Sequence, residues 1–488
     1  MERLRGRGAV IVAALAAVLG LWARWRVLGS VQGTLNADEA YTGLQAMAIL
    51  DGDRPVVIRG AAYTGVVDAY VLAPIHAVFG AHPAMLKVYS SLLWGVAAVT
   101  LGLVARRLGL RDSLAVMCAW AVWIGSGSMI VLSTRAYLSY GSGLLAVSLA
   151  ILVAVGIVSR DRADVRTSGL FGAVVGLAVF LHPMFLTVLV PLSGVVSWRH
   201  RRDWRAWWMP AGLAAIAMNL PFLIWNARND WPSLTQPVEA SDTWGDRLTR
   251  FFTGLVPRSL GLMGEGGGWV VPGAIAALVI IAVVALAVVG ISVAVRQRSL
   301  ALSVVVVPVL VCWPLMATLA NLSFVADSRY AVIYLPFLAL TVAIGAEHLA
   351  ALVSTSVRRA GVVVVPAALL AVTVVPWLHS EAPATPDANG LANAVAEALD
   401  EASVARLSGH YWGVLPVEYA SDGRIVTAVN GNPYVVRLPE SQRLVEGADP
   451  GRVAHLHLAG SEPTLPLAAD TYRVTEVGPY RLYIPVDG

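Results

Sequence analysis

Apolar residues fall in long unbroken runs separated by short arginine-bearing stretches. The runs cover roughly 8–28, 84–105, 113–134, 138–158, 168–182, 184–198, 206–226, 270–294, 300–320, 330–351 and 361–378. Most approach the roughly 20 residues that a helix needs to cross a hydrocarbon core. The pattern predicts about eleven transmembrane helices. The fifth and sixth runs, about 15 residues each, read as thin or tilted half-spans flanking His182-Pro183. Segment 66–80 is apolar too, but short, and it holds Asp68, Pro74 and His76. An aspartate at mid-bilayer costs roughly 2.5–3.5 kcal/mol, so the segment is expected to lie on the outer surface or to re-enter.

The arginines support that choice. With 66–80 outside, the clusters Arg106/Arg107/Arg111, Arg160/Arg162/Arg166, Arg199/Arg201/Arg202/Arg205, Arg296/Arg298 and Arg358/Arg359 all fall on the N-terminal side of the membrane. Cationic loops mark the cytoplasmic face. The N-terminus, Met1-Glu-Arg-Leu-Arg, resembles a signal peptide without a clean cleavage site, so the first helix is expected to be retained with its start in the cytoplasm. Three long pieces then lie outside: a first loop, about 29–83, a later loop, about 227–269, and a tail, 379–488. The tail starts with a linker-like Glu381-Ala-Pro-Ala-Thr-Pro. It continues with one helical pattern, about Leu391–Leu407. Short alternating stretches follow at Arg424–Val429, Tyr434–Leu438, Ala454–Leu458 and Tyr480–Ile484. The expected organisation is a polytopic α-helical membrane domain, 1–378, and a small extracytoplasmic α/β domain, 379–488.

Composition sharpens this. Hydrophobic residues make up 57% of the 488 positions and charged residues 14%, against about a quarter charged in soluble domains. An ordinary water-soluble enzyme and a disordered chain are both excluded. The net charge of +4 is spread as topology signals rather than as a nucleic-acid groove. The basic residues are almost all arginine, Lys87 being the single lysine. With the Ala/Val/Gly richness, this points to a GC-rich bacterium and its cell membrane. Cys118 and Cys312 both sit inside apolar runs, which gives neither a disulfide framework nor a cysteine metal site.

Chemistry-bearing residues gather in the outer pieces. Asn36-Ala37-Asp38-Glu39-Ala40-Tyr41 opens an amphipathic stretch. The two acids can serve as helix-start residues favoured by the macrodipole. They can also supply a carboxylate held at the bilayer surface as a general base. Arg59 can bind a phosphate or lie among headgroups. Tyr63-Thr64-Gly65 and Asp68 follow, and Asp68 can orient a sugar hydroxyl or face solvent. Arg135, with Tyr137 and Tyr140, edges the second outer loop, and His182 marks the next outer turn. Arg329-Tyr330 opens the tenth span, where an arginine either clamps a lipid phosphate or snorkels. Gly264-Glu265-Gly266-Gly267-Gly268-Trp269 is suited to a gate, but it lacks the Lys-Ser/Thr of a phosphate loop. Zinc-protease, nucleophile-elbow and dinucleotide motifs are also missing from the sequence.

Several of these pieces occur in a recognisable order. Arg24 and Arg26 end the first helix, and Asp38-Glu39 follows about ten residues later. Tyr63-Thr64-Gly65 then leads to Phe79-Gly80-Ala81-His82, and Ser328-Arg329-Tyr330 to Leu335-Pro336-Phe337. Over about 1–378 the chain resembles the GT-C glycosyltransferases of the protein O-mannosyltransferase and aminoarabinose-transferase kind. That resemblance implies a sugar donor carried on polyprenyl phosphate, with Asp38 as the base and Glu39 its neighbour. The donor's phosphate and sugar would fall to Arg329, Tyr330, Arg59, Tyr63, Asp68, Arg135 and His182. The acceptor would be a hydroxyl of an envelope glycan, lipid or protein. The second outer loop lacks the acid that many relatives carry there, so no metal or other cofactor is expected.

The physical logic runs the same way. Nucleotide sugars are not available outside, so the donor must arrive in the membrane, and one carboxylate suffices for an inverting displacement. A transporter or flippase is the rival reading. It calls for mid-bilayer ionisable residues and an inverted repeat, whereas Glu347 and His348 fall near a cytoplasmic helix end.

Overall fold

The computed structural model describes residues 2–137, 139–235, 242–319, 325, 327–385, 389–430, 436–461 and 463–486. Each of the eleven apolar runs is helical over most of its length. Among the described residues, six helices are long and apolar enough to cross a membrane: Pro83–Arg107, Tyr140–Val158, Trp204–Arg228, Gly273–Gln297, Leu300–Thr318 and Ser328–Ala351. A seventh span forms if Asp112–Trp123 and Gly127–Ser133, bent by 69°, are counted together. Four apolar helices are shorter: Val67–Phe79, Val165–Leu181, Pro183–Arg199 and Ala367–Glu381. Hydropathy counts apolar residues, while breaks at Gly125 and His182 shorten what the runs become. The chain is a helical membrane protein; among the described residues six helices, or seven with the bent pair, are long and apolar enough to span, and the expectation of eleven goes beyond these.

Two compact units make up the chain. The first comprises Met1–Val27, Ser90–Ser133 and Ser139–Pro383; the second comprises Leu28–Tyr89, Thr134–Leu138 and Ala384–Gly488. This division differs from a split at 378, because the first loop clusters with the tail. Hydropathy shows where polar segments begin and end, but not that two of them, far apart in sequence, bury each other.

In the first unit, Val165–Leu181 packs on Met209–Arg228, Leu300–Leu319 on Leu186–Arg199, and Gly273–Gln297 on Ala331–Ala351. Lipid supplies no hydrophobic drive between helices, so close backbone approach matters more. Gly290 and Gly345 provide it: a Cβ on either would collide with the other helix's backbone.

The second unit begins with α2 (Ala37–Leu50), the hairpin β1–β2 (Val57–Ile58 and Ala61–Gly65) and α3 (Val67–Phe79), with α1 being the first helix, Glu2–Leu28. At 13 residues, α3 is about 20 Å long, short of the roughly 30 Å hydrocarbon core. Its tail portion is a five-stranded mixed sheet in the order β4-β3-β5-β7-β6. The strands are β3 (Arg406–Gly409), β4 (Val426–Val429), β5 (Ala454–Leu458), β6 (Tyr472–Val477) and β7 (Tyr480–Pro485). β3 runs parallel to β4 and β5, and β7 antiparallel to β5 and β6.

The tail thus is the α/β fold its patterning predicts, with differences. The first tail helix is Gly390–Glu401, and the residues after it form β3 rather than more helix. Helices Tyr411–Ala420 and Pro439–Glu446 and strand β6 were not foreseen. The stretch expected as a strand at Tyr434–Leu438 lies partly outside the described residues.

Candidate functional site

In the second unit, Asn36 caps α2: its side chain accepts from the Asp38 backbone N–H at 2.9 Å. The Glu39 Oε2 accepts the Asn36 N–H at 3.2 Å, which completes a capping box. The cap function open to the two acids is therefore carried by Asn36 and Glu39. Glu39 is wholly buried. Its Oε2 also pairs with Lys87 Nζ at 2.7 Å, and its Oε1 accepts the Ala136 N–H at 3.0 Å. Such a carboxylate holds three chain segments together.

Asp38, next to it, is 5% exposed and has a different environment. The Tyr411 hydroxyl donates to its Oδ1 at 2.7 Å. Tyr411 is the first residue of the helix that follows β3. Burial and the neighbouring Asp38 carboxylate raise the Tyr411 phenol well above the usual tyrosine range, so it keeps its proton and remains a donor. Arg437 stands close by and lowers it only in part. The Arg437 guanidinium donates to the Arg59 carbonyl and lies 5.9 Å from the Tyr41 ring. Tyr41 accepts from the Arg59 N–H at 3.3 Å and from Gln45 at 2.8 Å. Burial pushes the Tyr41 phenol up to about 12.

Packing holds this cluster in register. Helix Tyr411–Ala420 lies against α2, and a Cβ at Gly43 would collide with the Tyr419 ring. The Tyr419 hydroxyl is 3.3 Å from His76 Nε2 on α3. Parallel β3 leads to β4 on one side of itself while β5 pairs on the other. Crevices at the carboxyl ends of parallel strands, where the strand order diverges in this way, are where open α/β sheets bind ligands. Tyr411 leaves β3 at that end.

Other expected residues of this unit have structural company. Asp68 is buried and accepts from the Tyr89 hydroxyl at 2.7 Å. Arg135 donates to the Gln32 side chain at 2.7 Å and to the Tyr137 hydroxyl at 3.0 Å. The Arg59 side chain is exposed, and Tyr63 is half-buried on β2.

The first unit carries a second polar group of its own. Arg329, in a short turn before Ala331–Ala351, pairs with Asp327 at 2.9 Å. Its guanidinium lies 5.4 Å from the Tyr330 ring and 6.0 Å from that of Tyr140. Tyr140 in turn lies 6.1 Å from His182. His182 caps its own turn, accepting the Met184 N–H at 3.1 Å. The Ser328 hydroxyl donates to Glu265 at 3.0 Å. The glycine stretch around Glu265 is closed by a bond from the Gly264 N–H to the Gly268 carbonyl at 2.8 Å. Arg24 donates to the Gly20 and Trp123 carbonyls and stacks on the Trp123 ring. Among the described residues, no group of three or more His, Cys, Asp or Glu is placed to hold a metal ion.

Sequence reasoning missed Tyr411, Arg437 and Lys87 as parts of the site. Lys87 carried a signal, as the single lysine of the chain at the start of an apolar helix. His410-Tyr411-Trp412 is a ring-bearing cluster in the sequence, but nothing there ties it to Asp38, 373 positions from Tyr411. Arg437 carried no signal.

This architecture is shared with two proteins of known structure. ArnT from Cupriavidus metallidurans, in a structure without ligand, matches with a TM-score of 0.64 at 12% identity, over 98% of this chain and 98% of that one. The same protein bound to undecaprenyl phosphate matches with a TM-score of 0.61 at 13% identity, over 96% and 97%. The oligosaccharyltransferase AglB from Archaeoglobus fulgidus, in complex with an inhibitory peptide and a dolichol-phosphate, gives 0.53 at 13% identity, over 98% of this chain and 74% of that one. No family model and no curated protein sequence matches the chain.

Proposed function

We propose that the protein is an integral-membrane glycosyltransferase that moves a sugar from a polyprenyl-phosphate donor to a hydroxyl acceptor on the extracytoplasmic face. The reading is supported above all by the GT-C fold over nearly the whole chain together with one buried carboxylate, Asp38, on a helix capped by other residues. Asp38 takes the proton of the acceptor hydroxyl. The acceptor oxygen bonds to the anomeric carbon as the bond from that carbon to the phosphate oxygen breaks, and the polyprenyl phosphate leaves with the electron pair. Attack from the side opposite the leaving group inverts the anomeric centre. Arg329, with Arg59 as second choice, neutralises the departing phosphate, and no divalent metal takes part. Glu39 serves the reaction by fixing the start of α2.

The test compares envelope glycans by mass spectrometry in cells with the gene, without it, and with Asp38→Asn. Loss of one sugar from one glycan, lipid or protein class in both altered strains is expected. In isolated membranes Asp38→Asn should reduce transfer by at least about 10²-fold, the low end for general base catalysis. Near-normal transfer would refute the assignment of Asp38, and unchanged glycans without the gene would refute the activity.

A further inference from the structure

Asp38 belongs to the first loop, and the group that holds it belongs to the tail. We propose that the C-terminal sheet domain is a working part of the reaction centre, with Tyr411 as the positioning residue that sets the orientation of the Asp38 carboxylate. This rests on the reading of Asp38 as the base.

The geometry carries the proposal. The phenol meets Oδ1 at 2.7 Å, and both side chains are 5% exposed, so water does not compete for the bond. A hydrogen bond to a charged acceptor in a site closed to water is among the stronger kinds. The contact is held by the whole domain. Tyr419 fits over Gly43 and reaches His76, and Arg437 ties to the Arg59 carbonyl. Helix Tyr411–Ala420 therefore meets α2 and α3 at separate points, which fixes where the Tyr411 hydroxyl sits. A base must present its lone pair within about 3 Å of the proton it takes, and an aspartate free to turn about two torsions spends much of its time elsewhere. A donor on one oxygen selects one rotamer.

Ionisable groups on the elements packed around Asp38 include Glu39, held by Lys87, then Arg59, Tyr41 and Arg437, on α3 Asp68 and His76, and on helix Tyr411–Ala420 Glu418 and Tyr419. Tyr411 is the phenol that donates to Asp38 itself.

Tyr411→Phe removes the hydroxyl and keeps the ring. The full-length protein is studied in native membranes, with the membrane's own lipid-linked sugars as donors and mass spectrometry of the product as readout. The maximal rate should fall about tenfold while the half-saturating donor level stays unchanged. An unchanged rate would overturn the proposal. So would a rate loss that comes with a changed half-saturating donor level or a lower unfolding temperature of the purified variant, which marks a merely structural tyrosine. Asp38→Asn, assayed in parallel, separates the two ideas: if it retains transfer, the base assignment falls and takes the positioning role with it. If it abolishes transfer while Tyr411→Phe changes nothing, the base stands and Tyr411 alone is excluded.

Discussion

Asp38 and Glu39 are adjacent in sequence and chemically alike, and the fold gives them opposite tasks. They stand about 100° apart around α2, so one meets Lys87 and the Ala136 N–H while the other meets Tyr411. Breaking a buried pair by removing one partner strands a charge, at roughly 3–5 kcal/mol. Glu39→Gln should therefore lower yield and thermal stability strongly, and Glu39→Gln combined with Lys87→Met should recover much of the loss. A Glu39→Gln protein as stable as the parent would show that the pair is not integral. Asp38→Asn should unfold at the parent's temperature. At Arg329 the expected effect is on the donor. A charge-assisted contact to phosphate contributes roughly 1.5–3 kcal/mol, so Arg329→Ala should weaken undecaprenyl phosphate binding by 10-fold or more, and Arg329→Lys by less. Titration of the purified variants decides, and equal affinity in both would leave Arg329 a snorkelling residue paired with Asp327. The candidate acid was legible because an acid pair at a helix start after a membrane span is visible in one short window. Tyr411 and Arg437 were not, because their role comes from tertiary contact alone.

Among the elements, the apolar runs were legible throughout, since a period of 3.6 in an apolar run needs no partner to be read. Breaks inside them were less so: Gly125 at φ +52 turns one expected span into two helices. In the tail, β5 and β7 were visible by alternation, whereas helix Tyr411–Ala420 was hidden by Gly413 and Pro416. On β5, His455 and His457 lie two residues apart on one face. Burial, and then His457, lower the His455 imidazole to about 4. The folded sheet thus binds that proton less readily than the unfolded chain, whose histidine titrates near 6.5. The stability this group contributes is complete above about pH 6.5 and is lost as pH falls toward about 4. Hydrogen-exchange protection factors in β5 and β7 of the full chain should fall as pH drops over that range, and His455→Phe should weaken the fall. Equal protection at both ends of the range would contradict the buried neutral histidine.

At the scale of the whole molecule, the arginine pattern makes a claim about sidedness. Cys118 and Cys312 are buried, so engineered thiols can be read against a silent background. Exposed positions Asp53 and Gly245, changed to cysteine, should react with an impermeant maleimide added outside intact cells, and Arg162 and Arg202 should not. Labelling at 162 from outside would mean that α3 crosses the membrane. The helical membrane class and the α/β tail were legible from composition and patterning. The partition into units was not: pattern is local, and the second unit joins residues 28–89 to residues 384–488.

That partition bears on how the protein is made. α2 emerges from the ribosome early, with Asp38 and Gly43 unmatched until helix Tyr411–Ala420 follows. Chains are built from the N-terminus at about 5–20 residues per second, so this half-finished surface waits for tens of seconds. A stop codon, frameshift or proteolytic cut between the last apolar helix and Tyr411 leaves Asp38 without this hydrogen-bond donor. The contact between Asp38 and Tyr411 therefore forms only after the membrane helices have been made.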